Sequence, residues 1–279
     1  MLGSEFLKMG RRLGYEMSGW TRLDLELEKP TEGILRLKES RPDVVIHCAA
    51  ETNVDLCEND RDRILRVNAE TSGLLAEAAQ ELGAHFVFIS TSGLFDGNKE
   101  SAYHEGDLPN PLTRYGASKF EGEKRVCNAH AGALILRAGW LFGGLLEMKK
   151  NFVGARLREA EGKKVIYSAI DKKGSPTWTQ DFVEDAFDLL RRETKGIVHL
   201  ANSGEATRFE YVREIMRLTG QNTIVEGVYS ERFQRSAPVP KNEALTSIRI
   251  NEAKGNLKRT WQHALEEYLK LRNKQETEC

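Results

Sequence analysis

The sequence has 279 residues, of which 40% are hydrophobic and 30% are charged, and its formal net charge is -1. This length is sufficient for one large α/β domain with a smaller appended lobe, and it allows a sizeable buried core. A nucleic-acid partner is not expected, because the sequence has no basic block that could neutralise phosphates. A membrane partner is not expected either, because no apolar run approaches the roughly 20 residues of a membrane span.

The cysteines and the start of the sequence favour a cytoplasmic protein without a metal site. The first 12 residues lack the apolar core of a signal peptide. No pair of cysteines forms a C-x-x-C motif, so neither a disulfide framework nor a zinc site is indicated. The four cysteines are Cys48, Cys57, Cys127 and Cys279.

Strand-like and helix-like segments alternate through the first half of the chain. Residues 43–48 form a compact β-branched run after Pro42, which predicts a buried strand. Residues 60–82 carry apolar side chains at helical spacing and are followed by Gly83, a common helix stop. The complete prediction for this half gives helices at 5–13, 60–82 and 115–128 and strands at 15–20, 43–48, 85–89 and 133–137.

The alternation continues toward the C-terminus, with an irregular stretch after Gly220. Strands that alternate with helices favour a parallel sheet covered by helices on both faces. We therefore predict an α/β fold with a Rossmann-type doubly wound parallel sheet and a smaller C-terminal lobe. The later elements are predicted helices at 152–161, 179–192, 209–219 and 257–274 and strands at 164–167 and 197–201.

Tyr115 and Lys119 are spaced to share one face of a predicted helix. A nearby ammonium favours the phenolate and lowers the pKa of a tyrosine, which is otherwise about 10. Such a pair can exchange a proton with a carbonyl or alcohol oxygen. The spacing alone recurs by chance, and a solvated helix face is the alternative interpretation.

The strand predicted at 85–89 is followed by Ser90, Thr91 and Ser92. Ligands of open α/β sheets bind at the carboxyl ends of the strands. A hydroxyl at this point can donate a hydrogen bond to the same oxygen that a tyrosine protonates. The alternative is a capped strand end without a chemical role.

Residues 90–97 (STSGLFDG) and 103–123 (YHEGDLPNPLTRYGASKFEGE) together resemble the extended short-chain dehydrogenases/reductases, and among them the dTDP-4-dehydrorhamnose reductases. The resemblance runs through nearly the whole chain in order, which makes it far more specific than one motif. Further matching stretches are 47–55, 67–69, 136–143, 171–177 and 235–245.

The resemblance implies reduction of the 4-keto group of a dTDP-sugar, giving dTDP-L-rhamnose if the match is close. It implies a catalytic trio of Thr91, Tyr115 and Lys119, with Tyr115 as the proton donor. It further implies that residues 1–145 bind the dinucleotide. Residues 146–279 would form mainly the substrate-binding lobe, with residues 179–201 returning to the sheet.

Other site residues follow from the same resemblance. NADPH is the implied cofactor, because Arg22 would accommodate a 2′-phosphate, and NADH stays open as the alternative. A nucleotide sugar is the implied partner, and a homodimer stays open. The cofactor-binding residues would be Gly3, Arg22, Ala49, Ala50, Thr52, Asn68, Tyr115 and Lys119. The substrate-binding residues would be Thr91, Ser92, Trp140, Asn151, Pro176 and Thr177.

Purely structural roles are the alternatives for two of these positions and for Arg137, which lies in the matching stretch 136–143. Asn68 could cap a helix, Trp140 could be a core residue, and Arg137 could be a structural ion-pair partner.

The sequence departs from the family pattern at its start and near the substrate side. The family opens with a strand and a G-x-x-G-x-L-G turn, of which the opening MLGSEF matches only the end. A misassigned gene start and a natural variant with altered cofactor binding are the two explanations, and the intact trio favours the first. Ser92-Gly93 stands where Asp-Tyr is usual and Lys172 where glutamine is usual, which leaves the sugar undetermined.

Two other functions compete with reduction. A non-catalytic regulatory subunit, like that of methionine adenosyltransferase, is favoured by the missing glycine turn and disfavoured by the intact trio. A sugar-nucleotide epimerase or dehydratase ranks lower, because Ser92-Gly93 offers no carboxylate or phenol beside the threonine.

Overall fold

A computed structural model of the protein describes residues 1–250 and 259–277. The helices used below are α1 (Leu2–Arg12), α2 (Thr31–Ser40), α3 (Val54–Cys57), α4 (Arg61–Leu65), α5 (Thr71–Leu82), α6 (Arg114–Ala129), α7 (Phe152–Ala160), α8 (Thr179–Arg191), α9 (Arg208–Leu218) and α10 (Trp261–Thr277). The strands are β1 (Val44–His47), β2 (His85–Thr91), β3 (Leu134–Ala138), β4 (Trp140–Phe142), β5 (Val165–Ala169), β6 (Lys173–Gly174), β7 (Pro176–Trp178), β8 (Gly196–Leu200), β9 (Ala206–Thr207), β10 (Ile224–Val228) and β11 (Asn242–Glu243).

The main sheet consists of four parallel strands in the order β1-β2-β3-β8. The predicted Rossmann-type α/β fold is confirmed. Parallel pairing brings the carboxyl ends of all four strands to one edge, where β2 ends at Thr91 opposite Ala138 of β3.

Alternate side chains of β2 enter two different cores, as the two-residue period of a strand requires. Val87 packs with α1 and α8 on one face of the sheet, through Phe6 and Phe182. Phe88 packs on the opposite face, where α5 and α6 contribute Leu75 and Val126. Helices therefore cover both faces.

The secondary-structure prediction is wrong at two places near the start. Residues 15–20 form an irregular segment rather than a strand, and α2 was not predicted. A strand needs a neighbour that takes its backbone hydrogen bonds. Among the described residues no strand lies beside 15–20, and β1 pairs with β2 alone.

A second core lies in the C-terminal part of the chain and is built by α7, α9 and α10. Small parallel pairs, β4 with β7 and β5 with β10, surround it. Strands β4, β7 and β10 were not predicted, and β4 and β7 have only three residues each, too few for a readable period. The predicted closing helix begins at Trp261, and residues 257 and 258 lie outside the described residues.

Arg137 of β3 and Glu123 of α6 form a buried ion pair, with side chains 2% and 3% exposed. Arg137 Nε donates to Glu123 Oε1 at 2.9 Å, and Nη2 donates to Oε2 at 2.7 Å. Two parallel charge-assisted hydrogen bonds fix the orientation of the guanidinium and the carboxylate relative to each other. The structural alternative for Arg137 is confirmed, and the pair fixes α6 against the middle of the sheet.

We expect Glu123→Gln to lower the free energy of unfolding by about 3–5 kcal/mol, because it leaves the Arg137 guanidinium buried without a counter-charge. Denaturant titration followed by circular dichroism measures this change. Glu266→Gln is the matched control, because Glu266 pairs with Lys270 one helical turn away at an exposed site, and it should leave the free energy of unfolding nearly unchanged. Equal losses in the two variants would contradict the assigned role.

Candidate active site

Thr91, Tyr115 and Lys119 meet at the carboxyl edge of the sheet. Thr91 is the last residue of β2, and Tyr115 lies in the first turn of α6, with Lys119 one turn later. The side chain of Thr91 acts electrostatically on the phenol of Tyr115, so the two groups are neighbours. Thr113 begins the helix, since its Oγ1 accepts from Gly116 N at 3.0 Å. The structure therefore brings the predicted catalytic trio together.

Burial raises the pKa of Tyr115 to about 12, although Thr91 opposes the shift. The nearby Cys57 and Glu243 raise the pKa further. The net shift is opposite to the lowering expected from the lysine, because desolvation of the phenolate is the dominant effect. The phenol consequently keeps its proton at neutral pH and can donate it.

Lys119 is an ammonium in an apolar surrounding. Its side chain is buried, and its Nζ lies 3.8 Å from the centroid of the Phe88 ring. Burial lowers the pKa of Lys119 to about 7, against the opposing effects of Glu123 and Cys48. A buried cation at the strand ends suits an anionic or hydroxyl-bearing ligand.

Asn68 holds the loop that follows β1. Its Oδ1 accepts from Glu51 N at 2.9 Å, and its Nδ2 donates to Glu51 O at 3.0 Å. The same Nδ2 donates to Ser118 Oγ at 3.0 Å, one residue before Lys119. Asn68 lies in a π-helical turn at residues 66–70, a distortion that is frequent at functional sites. It therefore joins the loop to α6 instead of capping a helix.

The other predicted cofactor residues are found around this loop, except for Arg22. Ala50 is half-buried, and exposed Thr52 accepts a hydrogen bond from Lys150 Nζ at 3.0 Å. A Cβ on Gly3 would stand 3.9 Å from the Cβ of Cys48, so the first turn of α1 lies beside the end of β1. Ala49 is exposed in the same loop. Arg22 lies in an exposed turn between α1 and α2.

The ring of Trp140 is packed against neighbouring residues on the substrate side. The guanidinium of Arg208 lies 3.4 Å from the ring centroid, and a Cβ on Gly174 would stand 2.2 Å from the ring. The indole Nε1 donates to Glu243 Oε2 at 3.0 Å. The packed ring therefore orients the Glu243 carboxylate through the N–H at its edge.

Three predicted substrate residues are buried and make their contacts within the protein. Asn151 is fully buried, and its Nδ2 donates to Gly143 O, Leu145 O and Tyr268 Oη at 2.9, 3.0 and 2.7 Å. Thr177 Oγ1 is buried and donates to Ser175 O at 2.9 Å. Pro176 is buried in β7. Direct contact of these three residues with substrate stays a prediction. Ser92, which is also buried, begins the short turn after Thr91.

Glu243, Arg208 and Lys172 also line this side, and the sequence did not single out the first two. Burial lowers the pKa of Arg208 to about 10, while the charge of Glu243 raises it. Lys172 Nζ donates to Val239 O at 2.7 Å. Glu243 lies in the stretch 235–245, which resembles the family, but no sequence pattern marked this glutamate as a functional residue.

Comparison with known proteins agrees with this geometry. The family described as the RmlD substrate binding domain matches residues 1–273. The chain belongs to this family. A relative in Bacillus subtilis, the spore coat polysaccharide biosynthesis protein SpsK, is 32% identical, and the alignment covers 98% of this chain and 94% of SpsK.

Solved structures of dTDP-4-dehydrorhamnose reductases match this RmlD-family chain throughout. The reductase of Clostridium acetobutylicum is 31% identical with a TM-score of 0.91, covering 97% of this chain and 95% of the other. The reductase of Bacillus anthracis, solved in complex with NADP, is 29% identical with a TM-score of 0.91, covering 96% and 94%. Within the described part of this chain, no helix is long and apolar enough to span a bilayer.

Gly116 sets the distance between the tyrosine and the threonine. A Cβ at Gly116 would stand 2.2 Å from the carbonyl oxygen of Gly93, which is far inside van der Waals contact. The first turn of α6 can therefore touch the turn after Thr91 only if residue 116 has no side chain.

We expect Gly116→Ala to push α6 away from Gly93, with a loss of about 1–3 kcal/mol in the free energy of unfolding. The same displacement should lengthen the contact between Thr91 and Tyr115. Thermal unfolding measures the first effect. Ala117→Ser, at an exposed position of the same turn, is the control. Wild-type stability in Gly116→Ala would show that the loop yields without cost.

Proposed function

We propose that the chain reduces the 4-keto group of a dTDP-linked 6-deoxy sugar with hydride from NADPH, forming dTDP-L-rhamnose or a closely related nucleotide sugar. The observation that carries the proposal is the placement of Tyr115 next to Thr91, at the end of β2, with the buried Lys119 one helical turn away. Membership in the RmlD family and the reductases among its relatives support it.

Tyr115 and Thr91 would act on the carbonyl oxygen of the sugar. When bound, NADPH supplies the hydride that the C4 carbon takes up. The phenol of Tyr115 gives its proton to the C4 oxygen, which becomes a hydroxyl. Thr91 donates a hydrogen bond to the same oxygen while negative charge develops there. The Lys119 ammonium offsets the charge left on the phenolate.

The residues around the strand ends fit a dinucleotide. Ala49 and Ala50 leave room beside the end of β1, and Asn68 fixes that loop. No side chain caps the N-terminus of α1, where Gly3 lies, and helix N-termini attract phosphates. Lys119 would hydrogen-bond a ribose hydroxyl.

NADPH is preferred over NADH for two reasons. Arg22 is exposed at the turn after residues 15–20 and can meet a 2′-phosphate. A relative of similar fold was solved with NADP.

In this proposal the chain is divided between cofactor and sugar. Residues 1–145 hold the dinucleotide, and residues 146–279 mainly hold the sugar, with 179–201 returning to the sheet. A cytoplasmic location accords with the composition.

We expect Tyr115→Phe to lower kcat for reduction of dTDP-4-dehydrorhamnose by about 10²- to 10⁴-fold, the range for losing a general acid. The ring stays in place, so the variant should stay folded and should still bind NADPH saturably. NADPH fluorescence titration measures binding, and NADPH oxidation with the 4-keto sugar measures turnover.

Tyr15→Phe is the matched control, because the Tyr15 ring stacks on Phe187 away from the trio. Its turnover should equal that of the wild type. Wild-type turnover in Tyr115→Phe would refute the proton-donor role. Saturable NADPH binding without oxidation by any 4-keto sugar would refute the proposed reaction.

A further inference from the structure

Glu243 stands on a rigidly held strand at the substrate side. The preceding Asn242 is buried, and its Nδ2 donates to Lys99 O at 2.7 Å and Ser101 O at 3.0 Å. Its Oδ1 accepts from Ala244 N at 2.9 Å. Glu243 itself pairs with Gly174 of β6. The backbone that carries the glutamate is thus fixed on both sides.

The two oxygens of the Glu243 carboxylate have different surroundings. Oε2 accepts from Trp140 Nε1 at 3.0 Å, so the indole orients the group. Oε1 lies 3.4 Å from the position that a Cβ on Gly93 would take, and Thr91 Oγ1 lies 3.5 Å from the same point. In the described residues, no hydrogen bond reaches Oε1. Oε1 is therefore an acceptor without a donor, and it lies near Thr91, whose hydroxyl would bind the reacting carbonyl.

Electrostatic contacts link the same carboxylate to the rest of the site. Its charge acts on Tyr115, Lys172 and Arg208. The described ion pairs include none between either of these cations and Glu243. The carboxylate is consequently oriented by Trp140, and Oε1 keeps its acceptor capacity for a ligand.

We propose that Glu243 Oε1 accepts a hydrogen bond from the sugar hydroxyl next to the reacting ketone, and that this bond makes the chain selective for sugars that carry it. The inference rests on the proposed 4-keto reduction. In a 4-keto-6-deoxyhexose, the C5 carbon bears a methyl group and the ring oxygen, neither of which donates. The C3 hydroxyl is the one donor on a carbon adjacent to the ketone, and a carboxylate can only accept.

A sugar without that hydroxyl leaves the carboxylate desolvated and unpaired, which sites built for a hydroxyl do not tolerate. We therefore expect wild-type kcat/KM for dTDP-4-dehydrorhamnose to exceed that for its 3-deoxy analogue by about 10- to 100-fold. Glu243→Ala should lower kcat/KM for the hydroxylated sugar alone, so that the preference disappears. Glu243→Gln should keep part of the preference, because its amide oxygen still accepts.

Glu226→Ala, at an exposed position of β10, is the control and should keep the full preference. NADPH affinity and thermal unfolding check that each variant is folded. An equal loss on both sugars in Glu243→Ala, or no preference in the wild type, would overturn the assignment while leaving the reductase function standing. A wild type that oxidises NADPH with neither sugar would refute the proposed function, and this inference with it.

Discussion

The buried ion pair between Arg137 and Glu123 is the interaction on which the site depends. It joins the middle of the sheet to the helix that carries Tyr115 and Lys119. Arg137 Nη1 also lies 3.4 Å from His199 Nε2, so the pair connects three neighbouring elements. Burying two charges is costly unless their geometry is good, and here two short bonds provide it. The helix therefore has one position against β2, and the threonine at the end of β2 meets the tyrosine.

The site is assembled from two parts of the chain that approach each other across the strand ends. The main sheet and α6 supply Thr91 and Tyr115, while the small strands β4 and β11 supply Trp140 and Glu243. Arg235 Nη2 donates to Asp55 Oδ2 at 3.0 Å, a bond between residues 180 positions apart in the sequence. Ala237 N donates to the other oxygen of Asp55 at 3.1 Å. These contacts hold the loop that leads to β11 against α3, the short helix that follows β1 in the chain.

Prediction from sequence succeeded where the signal is local. The alternation of strands and helices identified the parallel sheet. The four-residue spacing pointed to Tyr115 and Lys119, and the family resemblance selected Thr91 among the hydroxyls after β2. Arrangements that depend on distant partners were not foreseen. Residues 15–20 have strand-like composition but no neighbour to pair with, and Asn151 is polar but enclosed by Gly143, Leu145 and Tyr268. The bond between Trp140 and Glu243 spans 103 positions and leaves no periodic trace.

Lys119 has a thermodynamic consequence for ligand binding. Because burial lowers its pKa to about 7, roughly half of the molecules carry the charge at neutral pH. An anion that binds beside the ammonium stabilises the charged form, so complex formation draws protons from the buffer. Its affinity then falls as the pH rises above 7, and its apparent heat of binding changes with the ionisation enthalpy of the buffer. The lysine thereby couples occupancy of the site to the proton concentration around it.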